Sequence, residues 1–146
     1  MDCTTELNLD TAGGKHWSLR LVLHADGRPD PHLTLHVLQH NLRLTFNWGC
    51  WGCDLVRFAD ELERLHATLE GEALFWDLDQ VVEIPIRVTH RARGRLAVEV
   101  RIDRRPAEQD SITLRGFEIE QSYIPGMVRD IRRFITDSGI YVRPPS

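Results

Sequence analysis

The chain reads as an α+β protein: a twisted antiparallel β-sheet, or a two-sheet sandwich of hairpins, packed with two amphipathic α-helices. Three observations carry that reading. Apolar residues alternate with polar ones in run after run, the period of half-buried strands. Two segments, around 54–71 and 125–139, repeat their apolar residues every three or four positions instead. The alternating runs follow one another directly, so the β-α-β succession that builds a parallel sheet is missing. With 146 residues, 42% of them hydrophobic and 27% charged, the chain is expected to form one domain over 1–146 with a core that needs no metal or disulfide staple.

In the first strand group, Trp17, Leu19, Leu21 and Leu23 alternate with Ser18, Arg20, Val22 and His24. Turn formers from Ala25 to Pro31 break the run. Leu33, Leu35 and Val37 form a second strand, and Leu42, Leu44 and Phe46 a third. A weaker strand is expected around Glu6–Leu9.

The chain then enters its longest predicted helix, with Leu55, Phe58, Leu62, Leu65 and Leu69 as the buried stripe. Asp54 is the expected N-cap, and Gly71 the expected left-handed stop. A short strand over Ala73–Leu78 and a longer one through Val82, Ile84, Ile86 and Val88 follow. Pro85 lies in the second, which predicts an edge strand or an outward-turned amide position. Arg91–Gly94 reads as a hairpin loop leading into Leu96, Val98, Val100 and Ile102, and Arg104–Asp110 as a polar loop. Ile112 and Leu114 share one parity, Phe117 and Ile119 the other. Gly116 sits at the switch, as a bulge would require. Pro125 opens the last helix, where its missing amide costs nothing. Val128, Ile131, Phe134 and Ile135 form its stripe, and Gly139 ends it. An irregular tail is expected over 141–146.

Charge is distributed unevenly. The formal net charge is −4, which argues against nucleic acid as the main ligand. Between Asp54 and Glu83 nine acids face two arginines, whereas between Pro85 and Glu118 eight arginines face five acids. Solvated faces are one reading of the acidic stretch. The other is a surface that steers a basic partner, with Asp60, Glu61, Glu63, Glu70 and Glu72 as its candidate contacts. Strand edges leave both a monomer and a homodimer open. The first residues carry neither a basic start nor an apolar run, and no stretch is long enough to cross a bilayer, so a cytoplasmic location without membrane attachment is expected.

The one motif that suggests chemistry is Cys50-Trp51-Gly52-Cys53. A pair of cysteines between a strand and a helix is the setting of dithiol redox centres, because unpaired helical amides stabilise a thiolate. That fixes the alternative function, a thiol-disulfide redox protein using Cys50 and Cys53. The antiparallel hairpins do not supply the parallel scaffold of such enzymes. For metal, His32, His36 and His40 lie four residues apart, roughly 13 Å on a strand, too far to share an ion. Asp77 and Asp79 near a strand end are carboxylates that ordinarily stay solvated. Neither a metal nor a cofactor is expected. There is no G-x-S-x-G elbow, no H-E-x-x-H pair and no glycine-rich phosphate loop, so the chain is not expected to be an enzyme.

The second half resembles a known family. Phe58-Ala59-Asp60-Glu61-Leu62 leads through Leu69-Glu70-Gly71-Glu72-Ala73 into the paired strands, and Phe117-Glu118-Ile119-Glu120-Gln121-Ser122-Tyr123-Ile124 into the closing helix. Over Asn41–Ile135 this is similar to the WapI-type immunity family, whose members are small cytoplasmic proteins that neutralise contact-dependent bacterial toxins, among them a tRNA-cleaving one. The resemblance implies a protein-binding module whose partner is a basic nuclease toxin.

Overall fold

Alternation builds eight strands, and the computed structural model divides them into two sheets; it describes residues 2–12, 14–77, 79–105 and 110–142. Strands β1 (Asp2–Asn8), β2 (Trp17–Asp26), β3 (His32–Gln39) and β4 (Leu42–Gly49) form the first sheet in chain order. Helix α1 (Gly52–Thr68) follows, and then β5 (Glu72–Trp76), β6 (Val82–His90), β7 (Arg95–Arg105) and β8 (Asp110–Glu120) form the second, again in chain order. Helix α2 (Ile124–Ser138) closes the chain. All six strand pairings are antiparallel. The fold is therefore α+β, in the two-sheet form of the expectation.

Both sheets and both helices contribute to a single cluster of buried residues. Helix α1 lies against β5 and α2, and α2 also lies against β1. Four of the five residues predicted as the stripe of α1, Leu55, Phe58, Leu62 and Leu65, are each fully buried, while Leu69 is half-buried just past the helix end. At roughly 1.5–3 kcal/mol for each such side chain, this face stabilises α1 far more than its helix propensity does. In α2, Ile131 and Phe134 sit in the core, with Ile135 partly buried beside them. Rings tie the layers together at their ends. Trp48 of β4 meets Phe75 of β5 edge-on at 6.4 Å, and Phe75 meets Phe58 of α1 at 5.3 Å.

Several expectations are corrected. The N-cap of α1 is Trp51, not Asp54. Asp54 stands three residues further in, and its carboxylate accepts the Trp51 N–H at 2.9 Å, the returning half of a capping box. Helix α1 ends before Gly71: Leu69 takes the left-handed conformation, with φ of 52°, while its N–H donates to the Leu65 carbonyl at 2.8 Å. Gly71, with φ of 81°, serves the turn into β5 instead. The weak first strand begins at Asp2 rather than Glu6. Strand β6 is interior, between β5 and β7, so Pro85 is not on an edge. The ladder to β7 pairs Glu83 and Ile86 but skips Ile84 and Pro85, which is how an interior strand accommodates a residue without an N–H. The polar loop expected over Arg104–Asp110 is shorter, since β7 runs to Arg105 and β8 starts at Asp110; the expectations for Leu78, 106–109 and 143–146 lie outside the described residues.

Other local readings hold. The register between β7 and β8 shifts between Val98 and Val100, opposite Gly116 with φ of 100°, so the parity switch is a bulge. Arg91–Arg93 form a 3-10 turn closed by Gly94 in the left-handed region. Pro125 lies in the first turn of α2, and Gly139 follows its end with φ of 66°.

Candidate protein-binding surface

The α1–α2 pair and the turn into β5 carry all five acids singled out from the sequence, and the packing sorts them into two groups and an outlier. Asp60 and Glu63 stand on the side of α1 that faces α2. There Arg132 reaches both, with Nη2 3.0 Å from Asp60 Oδ1 and 3.5 Å from Glu63 Oε2. Glu70 and Glu72 flank Gly71 in the turn. Glu72 accepts from Arg87 Nε of β6 at 2.5 Å, and Glu70 lies 3.5 Å from Arg91 in the β6–β7 hairpin. Arg64 of α1 donates to the Glu72 carbonyl at 2.6 Å, which fixes the turn to the helix.

Glu61 stands apart. It is half-buried on the β5 side, where loss of solvent pushes its carboxyl above the ordinary range, an effect opposed by the backbone amide of Leu74. Four of the five candidate acids thus have an arginine from elsewhere in the chain. These pairs are exposed, so each contributes only about 0–1 kcal/mol. Such exposed pairs can be exchanged for other cations at little cost. The sequence shows how many acids lie here; it does not show that α2, β6 and the hairpin return arginines to them.

Sequence reasoning also missed a groove. Between α1 and α2 runs a depression of about 350 Å³ lined by Glu63, His66, Ile124, Pro125, Val128, Arg129 and Arg132. Its floor is apolar, its rim carries both signs of charge, and Tyr123 stands 49% exposed at the start of α2. The available signal was Glu63 and His66 three residues apart on α1, and the arginines at 129 and 132 at the same spacing on α2.

The cysteine pair sits in a setting unlike that of a nucleophile. Cys50 is buried, Cys53 is half-buried, and both are free thiols. Burial, reinforced by the nearby Asp54 and Asp77 carboxylates, pushes the Cys50 thiol far up. Cys53 is also raised, chiefly by burial and then by Asp54, against a smaller lowering by Arg57. A dithiol centre needs the opposite shift at its attacking sulfur. Cys50 is expected to stay unlabelled by a thiol reagent such as DTNB at pH 7–8 in the folded protein and to react once the chain is unfolded. Labelling of folded Cys50 faster than free cysteine would restore the redox reading. The same shift has a stability sign. Folded Cys50 keeps a proton that the unfolded chain releases, so its contribution is complete below the free-thiol range and falls away as pH rises above it.

Asp77 is fully buried. Its carboxylate accepts from the Val81 and Val82 amides at 2.9–3.2 Å, which shapes the loop into β6. Asp79 is exposed, and among the described residues no group of three or more His, Cys, Asp and Glu side chains could hold a metal ion. Among the described residues no helix is long and apolar enough to cross a membrane.

Fold and surface together define an α+β protein with an open, charge-patterned helical face. The model of the WapI-like immunity protein family matches residues 52–137, from the first turn of α1 to the last turn of α2. That is more than half of the chain, and the protein belongs to this family. The match covers all five acids and the groove, and leaves out the first sheet and Cys50. No curated protein matches the chain.

Proposed function

We propose that the protein is a non-enzymatic immunity protein, a single-domain cytoplasmic module that neutralises a cognate bacterial toxin by occupying its surface. The family match across both helices carries this reading. Its partner is a basic nuclease toxin, met by Asp60, Glu61, Glu63, Glu70 and Glu72. Opposed charge speeds the encounter and rejects wrong partners more than it adds affinity, and the exposed arginine pairs leave the carboxylates of Asp60, Glu63, Glu70 and Glu72 exchangeable. The buried, proton-retaining Cys50 gives the redox alternative no support.

The test is capture of the toxin by affinity pull-down from the native bacterium, followed by titration calorimetry on the toxin domain at several salt concentrations. Reversing Asp60, Glu63 and Glu70 to lysine is expected to weaken binding by about tenfold or more and to flatten its salt dependence. Circular dichroism checks that the variant is folded. Unchanged affinity and an unchanged salt slope would remove the acidic surface from the interface.

A further inference from the structure

The two sheets present four edge strands, and three of them are protected against pairing. Strand β1 carries Asp2 and Glu6, both exposed. Strand β5 is five residues long, with α1 lying against it. Strand β8 is interrupted by register shifts against β7 and by Gly116 at φ of 100°. Acids, shortness, a covering helix and bulges are the usual devices that keep an edge from templating another strand.

Strand β4 is eight residues long, shows no bulge against β3 and carries no acid. Its register with β3 is unbroken from Gly49–His32 to Leu42–Gln39, and Arg43 is its single charged residue. Its apolar row is unevenly covered. Trp48 is buried, Phe46 and Leu44 are half-buried against the core, and Leu42 is 47% exposed.

The geometry points to β4 as an interface with a second copy of this chain, the two β4 strands pairing antiparallel about a two-fold axis at Thr45. The strand's own pattern suits that symmetry. About Thr45, Leu44 falls opposite Phe46, Leu42 opposite Trp48, and Arg43 opposite the neutral Asn47. Apolar residues meet apolar ones and no like charges are opposed. Each copy's exposed Leu42 end meets the other's covered Trp48 end, and the first sheet becomes one continuous eight-stranded sheet. Net charge does not forbid the contact, because the acids of the chain concentrate on α1 and the turn into β5.

The test needs no toxin, so its outcome is independent of the immunity reading. Sedimentation velocity over a wide concentration range is expected to show a reversible dimer, and hydrogen exchange of the β4 amides is expected to slow as the dimer forms. Leu42→Lys, at a position exposed enough to leave the fold intact, is expected to raise the dissociation constant about tenfold or more. Leu44→Lys is a second variant at the centre of the row, with folding checked by circular dichroism. A monomer at the highest soluble concentration would overturn the proposal. So would a dimer whose β4 amides exchange at the monomer's rate, or one indifferent to Leu42→Lys. Protection of β4 by a strand from another protein, with the free chain monomeric, would also overturn it.

Discussion

Asp54→Ala is expected to destabilise the fold by about 3–5 kcal/mol, the usual cost of removing one partner from a buried charge pair. The Asp54 side chain is fully buried. One oxygen accepts the N-cap amide of Trp51 at 2.9 Å, and the other lies 3.1 Å from Arg57 Nη2. Arg57 in turn donates to the Trp76 carbonyl and lies over the Trp76 ring, 3.8 Å from its centroid. A single carboxylate thus closes the start of α1 and anchors the arginine that joins α1 to the end of β5. Alanine leaves an uncapped amide and a partly buried guanidinium without its counter-charge. At about 3 °C per kcal/mol for a chain of this size, the melting temperature is expected to fall by roughly 10–15 °C. Thermal unfolding followed by circular dichroism measures it. Pairing Asp54→Ala with Arg57→Met in a double-mutant cycle separates the ion pair from the cap. A loss below about 1 kcal/mol would mean that the pair is solvated in solution.

Gly116→Ala is expected to cost about 2–4 kcal/mol, through two effects that add. The residue holds φ of 100°, a conformation L side chains rarely adopt, and a Cβ built there stands 2.6 Å from Trp17 Cζ3. The Trp17 ring has little freedom to retreat. Its Nε1 donates to His40 Nε2 at 3.1 Å, and its edge packs on Phe117 with centroids 5.9 Å apart. Making the same change beside Trp17→Leu relieves the clash but not the backbone strain, so the difference apportions the cost. Denaturant unfolding of the four proteins provides the measurement. A Gly116→Ala variant as stable as its parent would mean that the bulge relaxes and the Trp17 contact is not formed.

Gly116 also shows what kind of information the sequence held. The parity change between Leu114 and Phe117 was visible as a pattern, and glycine at the switch named the device. Trp17 above it, a hundred residues away in the chain, was not visible. The stripe of α1 was read correctly because a helical face is defined by residues three and four apart. Its ends were misread because capping depends on conformation. Asp54 had the right chemistry for an N-cap but accepts the N-cap amide from three residues on, and Leu69 adopted the left-handed turn that Gly71 was expected to supply. Pro85 was expected at an edge or with its amide position turned outward; β6 is interior, and its ladder to β7 omits a step there.

The candidate site follows the same division. Nine acids over thirty residues announced an acidic segment, but the arginines that hold four of its carboxylates come from α2, β6 and the hairpin. Arg132 and Asp60 are 72 positions apart. The groove beside them exists only because α1 and α2 pack together.

By itself the sequence determined the α+β class, the strands and helices with their buried faces, and the kinship to immunity proteins, because each is written in short-range periodicity or local motif. Only the tertiary structure decided that eight strands part into two sheets of four, that β6 is interior and β4 an open edge, and which acids are paired. Alternation states that one face of a strand is buried but not against what, and an ion pair between distant residues forms only where packing brings the two side chains within reach.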